Sequence, residues 1–72
     1  MKEWAEAIKY HREINGLSQS ALAKKTNISQ PKISYYESGI HQPTIEDCIT
    51  LADFYGITID ELVGRDHGRI KK

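Results

Sequence analysis

The segment 18–39, SQSALAKKTNISQPKISYYESG, constrains the fold most, because it joins two short helical patterns through a tight turn. Its apolar residues recur at the spacing of inward-facing helical positions; they are Leu22, Ala23, Ile28, Ile33 and Tyr36. Asn27 tolerates the left-handed backbone conformation that is common just past a helix end. The hydroxyl of Ser29 can cap the next helix by accepting from a free backbone N–H. We therefore predict helices over 19–25 and 30–38.

Three further helices are predicted by similar patterns. The first covers residues 2–14, where apolar residues recur at steps of three and four before an Asn-Gly turn. The fourth follows Thr44 and ends at Gly56, with a broad apolar stripe made of Ile45, Cys48, Ile49, Leu51, Ala52 and Tyr55. Thr58 and Glu61 form a T-x-x-E capping box that opens a short fifth helix. No segment alternates like a strand, so the chain is predicted to be all-α.

Length and composition predict one small domain. The 72 residues are 39% apolar and 28% charged, which is typical of a globular chain, not a disordered one. A core of this size is marginal, so pairing of two copies would stabilise it. Charged residues near the start interrupt any signal-peptide pattern, and no apolar run could span a bilayer. We expect a folded domain over 1–64 and a basic tail over 65–72, with no membrane association, in the reducing cytoplasm.

The net charge is zero, but the charges are segregated along the chain. Residues 1–32 carry six Lys/Arg and three Asp/Glu, whereas residues 33–64 carry six acids and no Lys/Arg. Residues 65–72 carry four Lys/Arg and one Asp. One face could therefore bind phosphate while another carries the acids. The predicted helix 30–38 adds side chains that suit base edges and phosphates: Gln30, Lys32, Ser34 and Tyr35.

Metal and catalytic sites are not predicted. The three histidines, at positions 11, 41 and 67, are scattered without metal-ligand spacing. The single cysteine, Cys48, excludes an internal disulfide and a CxxC motif, and its place on an apolar helix face predicts an inert buried thiol. No motif combines a nucleophile, a base and an orienting group. We therefore expect no enzyme activity, no cofactor and no small-molecule ligand.

The ordered motifs GLSQ, LAKKTNIS, ISYYESG, P-T and GIT-x-DELVG resemble the phage-repressor-like (Cro/cI, XRE-type) helix-turn-helix family. The resemblance covers residues from about 8 to 64. It implies a compact five-helix, lambda-repressor-like domain that binds double-stranded DNA, usually as a homodimer, with the third helix in the major groove. It also implies a small sequence-specific transcriptional regulator, with repression as the expected direction.

The resemblance carries roles to individual positions of this chain. Gln19 matches a glutamine that meets the DNA backbone beside the third helix, and Arg12 and Glu37 match a partly buried ion pair. The expected recognition positions are Ser29, Gln30, Pro31, Lys32, Ser34 and Tyr35. His41 also lies among the expected DNA contacts. Because the family often has Lys or Arg near phosphate where this chain has Ile40 and His41, weaker phosphate binding is expected. His11 replaces a frequent leucine, which predicts looser packing of the first helix.

Two alternatives remain open at this stage. Ile57, Ile59 and Val63 offer more apolar surface than one short helix can bury, so they are predicted to form a dimer interface. The alternative is that they cover the fourth helix within one chain, as Leu62 is expected to do.

For function, the alternative is a protein-interaction or antitoxin-like module that keeps the fold with weak DNA affinity. The acidic half of the chain favours that second possibility.

Overall fold

Five helices make up the part of the chain that the computed structural model describes, residues 2–65. They are α1 (Glu3–Ile14), α2 (Gln19–Thr26), α3 (Gln30–Ser38), α4 (Ile45–Tyr55) and α5 (Ile59–Leu62). The all-α prediction is confirmed, and the predicted bounds of the first three helices differ from these by at most one residue. Apart from Arg65, the predicted basic tail lies outside the described residues.

Side-chain caps define where four of the helices begin. The hydroxyls of Ser18, Ser29, Thr44 and Thr58 each accept from the backbone N–H three residues on. Glu61 returns the contact, because its carboxylate accepts from the Thr58 backbone N–H at 2.9 Å. This reciprocal pair completes the predicted capping box of α5. Local hydrogen bonding therefore accounts for the starts of these four helices, whereas α1 begins after Lys2 without a side-chain cap.

The turn between α2 and α3 depends on one left-handed residue. Asn27 follows α2 with φ +63°, and its backbone N–H donates to the Ala23 carbonyl. Asparagine enters this region at lower cost than most residues with a side chain. Gly39 ends α3 with φ +82°, where a β-carbon would lie 3.4 Å from Lys2 Cγ. These two residues set the entry to and the exit from α3.

The core contains one set of buried side chains contributed by all five helices and the α2–α3 turn. Its members are Ala5, Ile8, Leu22, Ile28, Ile33, Tyr36, Cys48, Leu51, Ala52 and Leu62. The largest fully buried side chains, one from each helix, are Ile8, Leu22, Ile33, Leu51 and Leu62. Helix α3 packs against α1 and α2, and α5 packs against α4 and α1. The outer face of α3 is left uncovered.

Two apolar side chains of the predicted α4 stripe lie outside the core, contrary to prediction. Ile45 is 77% exposed and Ile49 is 45% exposed, so the buried stripe of α4 is narrower than expected. Ile14 is likewise 59% exposed, at the end of α1. Helical spacing defines a face, but the neighbouring helices decide how much of that face is covered. No helix within residues 2–65 has the length and apolarity needed to cross a membrane.

His11 forms a polar link between α1 and α5. Its Nε2 lies 2.9 Å from the Glu61 carbonyl oxygen, and its ring lies 5.9 Å from that of Tyr55. The histidine side chain is half-buried. A directional contact therefore replaces part of the apolar packing that a leucine would supply at this position.

Candidate nucleic-acid interface

Helix α3 presents a polar face to solvent and an apolar face to the core. Ile33, Tyr36 and Glu37 point inward, at spacings of three and four residues. The outward positions follow from the same periodicity. They include the exposed residues Gln30, Pro31, Lys32 and Tyr35, and the half-buried Ser34. Five of the predicted recognition residues therefore lie on or beside the uncovered face of α3.

A hydrogen-bonded chain of side chains runs along the edge of α3 that faces α2. The Gln30 Nε2 group donates to Gln19 Oε1 at 2.7 Å, and Gln19 Nε2 donates to Glu37 Oε1 at 3.1 Å. Glu37 is a buried carboxylate, and a carboxylate can only accept hydrogen bonds. Gln19 must therefore direct its Nε2 group toward Glu37 and its Oε1 atom toward the Nε2 group of Gln30. Gln30 keeps its carbonyl oxygen and one N–H for a further partner.

The Glu37 carboxylate is itself held by Arg12. Arg12 Nε and Nη2 donate to the two carboxylate oxygens at 2.7 and 2.9 Å, and Nη1 donates to the Leu17 carbonyl at 2.8 Å. The side chains are 12% and 4% exposed. The pKa of Arg12 is raised, chiefly by the hydrogen bond to Glu37 and against the opposing effect of burial. Helix α1 therefore supports the side chains that orient Gln30.

On the edge that faces α4, Lys32 and Tyr36 share one carboxylate. Lys32 Nζ lies 3.3 Å from Asp47 Oδ2, and the Tyr36 hydroxyl donates to the same oxygen. Burial and the hydrogen bond to Asp47 raise the pKa of Tyr36 to about 12. Asp47 lies three residues after Thr44, and its backbone N–H donates to the Thr44 hydroxyl. The spacing of Lys32 and Tyr36 shows a shared face, but nothing local shows which acid they meet.

The remaining predicted contacts lie around the two ends of α3. The rings of Tyr35 and His41 meet edge to face with centroids 5.2 Å apart, and Tyr35 is 44% exposed. The Ser29 hydroxyl accepts from the Lys32 backbone N–H at 3.3 Å, which leaves its own hydrogen for another acceptor. Gln19 is half-buried.

The predicted dimer residues are not equivalent. Ile59 is 40% exposed, whereas Ile57 and Val63 are half-buried and pack against the core. Leu62 is fully buried. The alternative prediction was that these residues cover α4 within one chain. Ile57 and Val63 fit that alternative better than Ile59 does. Within residues 2–65, no cluster of three or more His, Cys, Asp or Glu is arranged to hold a metal ion; His67 lies outside them.

A helix-turn-helix family model matches residues 8–62, most of the chain. The chain belongs to the helix-turn-helix family. At the level of this family, its function is DNA binding in the regulation of transcription. The matched residues begin within α1 and end at the last residue of α5, so they include the whole Gln19–Gln30–Glu37 chain.

Relatives of this helix-turn-helix domain are named as regulators of transcription. It is 33% identical over 55 residues to an uncharacterized HTH-type transcriptional regulator of Methanocaldococcus jannaschii, with 76% of this chain and 83% of the relative covered. It is 37% identical over 60 residues to the cryptic phage CTXphi transcriptional repressor RstR of Vibrio cholerae, with 83% of this chain and 54% of RstR covered.

A solved structure shares the fold. The crystal structure of a transcriptional regulator from Listeria innocua superposes with a TM-score of 0.77 at 34% identity, over 89% of this chain and 61% of the other. The domain therefore spans only about half of RstR and under two thirds of the Listeria chain.

Proposed function

We propose that α3 enters the major groove of double-stranded DNA and reads base edges, with Gln30 as a principal base contact. The observation that carries this proposal is the orientation of the exposed Gln30 amide, which Gln19 holds through a 2.7 Å hydrogen bond. An amide held at the start of an uncovered helix is preorganised for contact, because little of its rotational freedom remains to be lost on binding.

The chemistry of the Gln30 amide suits one base in particular. Its free carbonyl oxygen and remaining N–H match the N6 donor and N7 acceptor of adenine in the major groove. A good bidentate contact of this kind contributes ~1–3 kcal/mol of discrimination. Gln19, His41 and the Ser29 hydroxyl are proposed to contact phosphates, with Pro31, Lys32, Ser34 and Tyr35 against the groove. Phosphate contacts position the domain, while base contacts give specificity.

We further propose that two copies bind together. One α3 spans few base pairs, whereas two copies related by a two-fold axis would contact half-sites ~34–36 Å apart. The exposed side chain of Ile59 supports an apolar contact surface on α5, which packs against α4 and α1. Ile59→Asp should leave a folded monomer with much weaker operator binding. Val63→Asp is a poorer test, because Val63 packs against the core.

We propose regulation by repression, because the relative RstR is a transcriptional repressor. A domain with this role would act on DNA in the cytoplasm, and no catalytic activity is proposed for it. A promoter fusion to a reporter gene, with the selected operator placed at the promoter, tests the direction. Lower reporter output in the presence of the protein supports repression, and higher output contradicts it.

Selection of bound sites from a random duplex pool is the decisive test of DNA binding. The proposal expects a preferred sequence with two related half-sites, and binding that weakens as salt rises because phosphate contacts release counterions. Absence of any enriched sequence, together with salt-independent or undetectable binding to duplex, would contradict it.

A protein-interaction or antitoxin-like module is the second candidate. The observation in its favour is that α4 and α5 expose isoleucines beside acids, while residues 33–64 contain no Lys or Arg. A partner with basic and apolar groups would suit that surface. The same salt titration with random duplex separates the two candidates, since this module would show weak affinity for DNA at every salt concentration.

A further inference from the structure

Lys32 is the single basic residue of α3, yet its charge is already partnered within the chain. Its ammonium Nζ lies 3.3 Å from Asp47 Oδ2. The Lys32 side chain is 52% exposed, whereas the Asp47 side chain is 13% exposed. A phosphate can therefore approach the ammonium group from solvent, but it must compete with a carboxylate that is already in contact.

Asp47 is held in place by contacts that do not involve Lys32. The hydroxyl of Tyr36, a residue only 3% exposed, donates to the same carboxylate oxygen. The backbone N–H of Asp47 donates to the Thr44 hydroxyl at 3.1 Å, which fixes the first turn of α4. Only Lys32 therefore loses side-chain freedom when the pair forms, and this favours the pair over one between two mobile side chains.

We infer that Asp47 is a positioning residue for DNA binding, which holds Lys32 against the start of α4 and limits the phosphate affinity of α3. This inference rests on the proposed DNA contact of α3. Gln30 is held by α2, on the opposite edge of the same helix, so its base contact is independent of the pair. Asp47 lowers the sequence-independent part of the affinity for DNA. Base contacts must therefore supply a larger share of the total affinity.

Asp47→Asn tests the inference, because the amide oxygen can still accept from Tyr36 while the negative charge is lost. The measurement is the affinity for a random duplex, followed by fluorescence anisotropy over a series of salt concentrations. We expect affinity to rise roughly two- to fivefold, the range for release of one partly exposed ion pair. The slope of log K against log salt should steepen by up to ~0.9, as one more phosphate contact forms.

Two matched variants separate an effect through Lys32 from a general effect of charge. Glu46→Gln removes the neighbouring acid of the same helical turn, and should raise affinity less than Asp47→Asn without steepening the slope. In a Lys32→Ala background, Asp47→Asn should change the affinity for random duplex little. An equal gain in that background, a gain equal to that of Glu46→Gln, or weaker binding by folded Asp47→Asn would overturn the inference.

If Asp47→Asn does not fold, Lys32→Ala alone decides. A loss of less than about twofold in random-duplex affinity supports the inference, since the paired ammonium then contributes little. A slope that flattens by ~0.9 contradicts it, because Lys32 would already bind a phosphate. Wild-type protein that binds no duplex even at low salt would refute the proposed function and this inference together, whereas normal wild-type binding with an inert Asp47→Asn variant refutes the inference alone.

Discussion

Arg12 and Glu37 form a bidentate ion pair that joins α1 to α3, with N–O distances of 2.7 and 2.9 Å. Glu37 also accepts from Gln19, so the pair supports both the packing of α3 and the orientation of Gln30. Loss of either partner would leave the other charge poorly solvated. The Glu37 carboxylate therefore links the packing of α3 to the orientation of the candidate DNA contact, Gln30.

Glu37→Ala should destabilise the domain by ~3 kcal/mol, toward the lower end of the cost of breaking a buried pair, since Arg12 retains some exposure. For a domain of this size, that corresponds to a fall in Tm on the order of 10–20 °C. Glu46→Ala, an exposed first-turn acid of α4, should cost less than ~1 kcal/mol. Thermal denaturation followed by circular dichroism compares them, and equal shifts would count against the pair.

Gln30→Ala should relax base preference at one base pair of each half-site and leave non-specific binding largely intact, because the amide contacts a base edge. Gln19→Ala should weaken preference at the same base pair by a smaller amount, since Gln30 then loses its 2.7 Å partner but keeps its own amide. Repeating the random-pool selection with each variant measures both effects. An unchanged preference after Gln30→Ala would remove that residue from the recognition set.

Two buried phenols should respond oppositely to removal of the hydroxyl. Tyr36→Phe loses a hydrogen bond to Asp47 and should cost ~1.5–3 kcal/mol, the range for bonds to charged groups. The Tyr55 hydroxyl oxygen is buried without a hydrogen-bond partner among residues 2–65, so Tyr55→Phe should leave stability unchanged or raise it by up to ~1 kcal/mol. Urea denaturation measures both, and a marked loss for Tyr55→Phe would show that its hydroxyl has a partner.

Stability should fall at alkaline pH because of the same two tyrosines. Burial, with the Asp47 hydrogen bond for Tyr36, raises the pKa of both from 10.0 to about 12. The unfolded chain then loses each phenolic proton first as pH rises. The contribution of these groups is complete below pH 10.0 and is lost as pH rises through about 12. Urea midpoints over this range should decline less steeply for Tyr55→Phe than for wild type; an identical decline would contradict the shift in pKa.

Cys48 should react slowly in the folded protein. The residue is 8% exposed, and burial, with a smaller effect of the Asp47 charge, raises the pKa of its thiol. Because the thiolate is the reactive form, labelling with a maleimide at about pH 8 should be slow natively and fast in denaturant. A native rate close to the denatured rate would show that α4 opens readily or that the thiol is accessible.

The helices themselves could be predicted from the chain alone. Ser18, Ser29, Thr44 and Thr58 cap the following turns through bonds that span three residues, and Asn27 and Gly39 adopt left-handed conformations at predicted helix ends. These signals act within one turn of backbone, so their geometry does not depend on the rest of the molecule. The helical spacing within α3 likewise predicted that Ile33 and Tyr36 point inward, and both are buried.

Only the tertiary structure decided which surfaces are covered and which polar groups meet. The exposure of Ile45 and Ile49 depends on where α2 and α5 lie against α4, and periodicity carries no such information. The contact between Lys32 and Asp47 crosses from one helix to the next over 15 positions, and that between Gln30 and Gln19 over 11. Contacts between residues so far apart in the sequence exist only once the helices have packed, because packing sets the distance between the backbones that carry the two side chains.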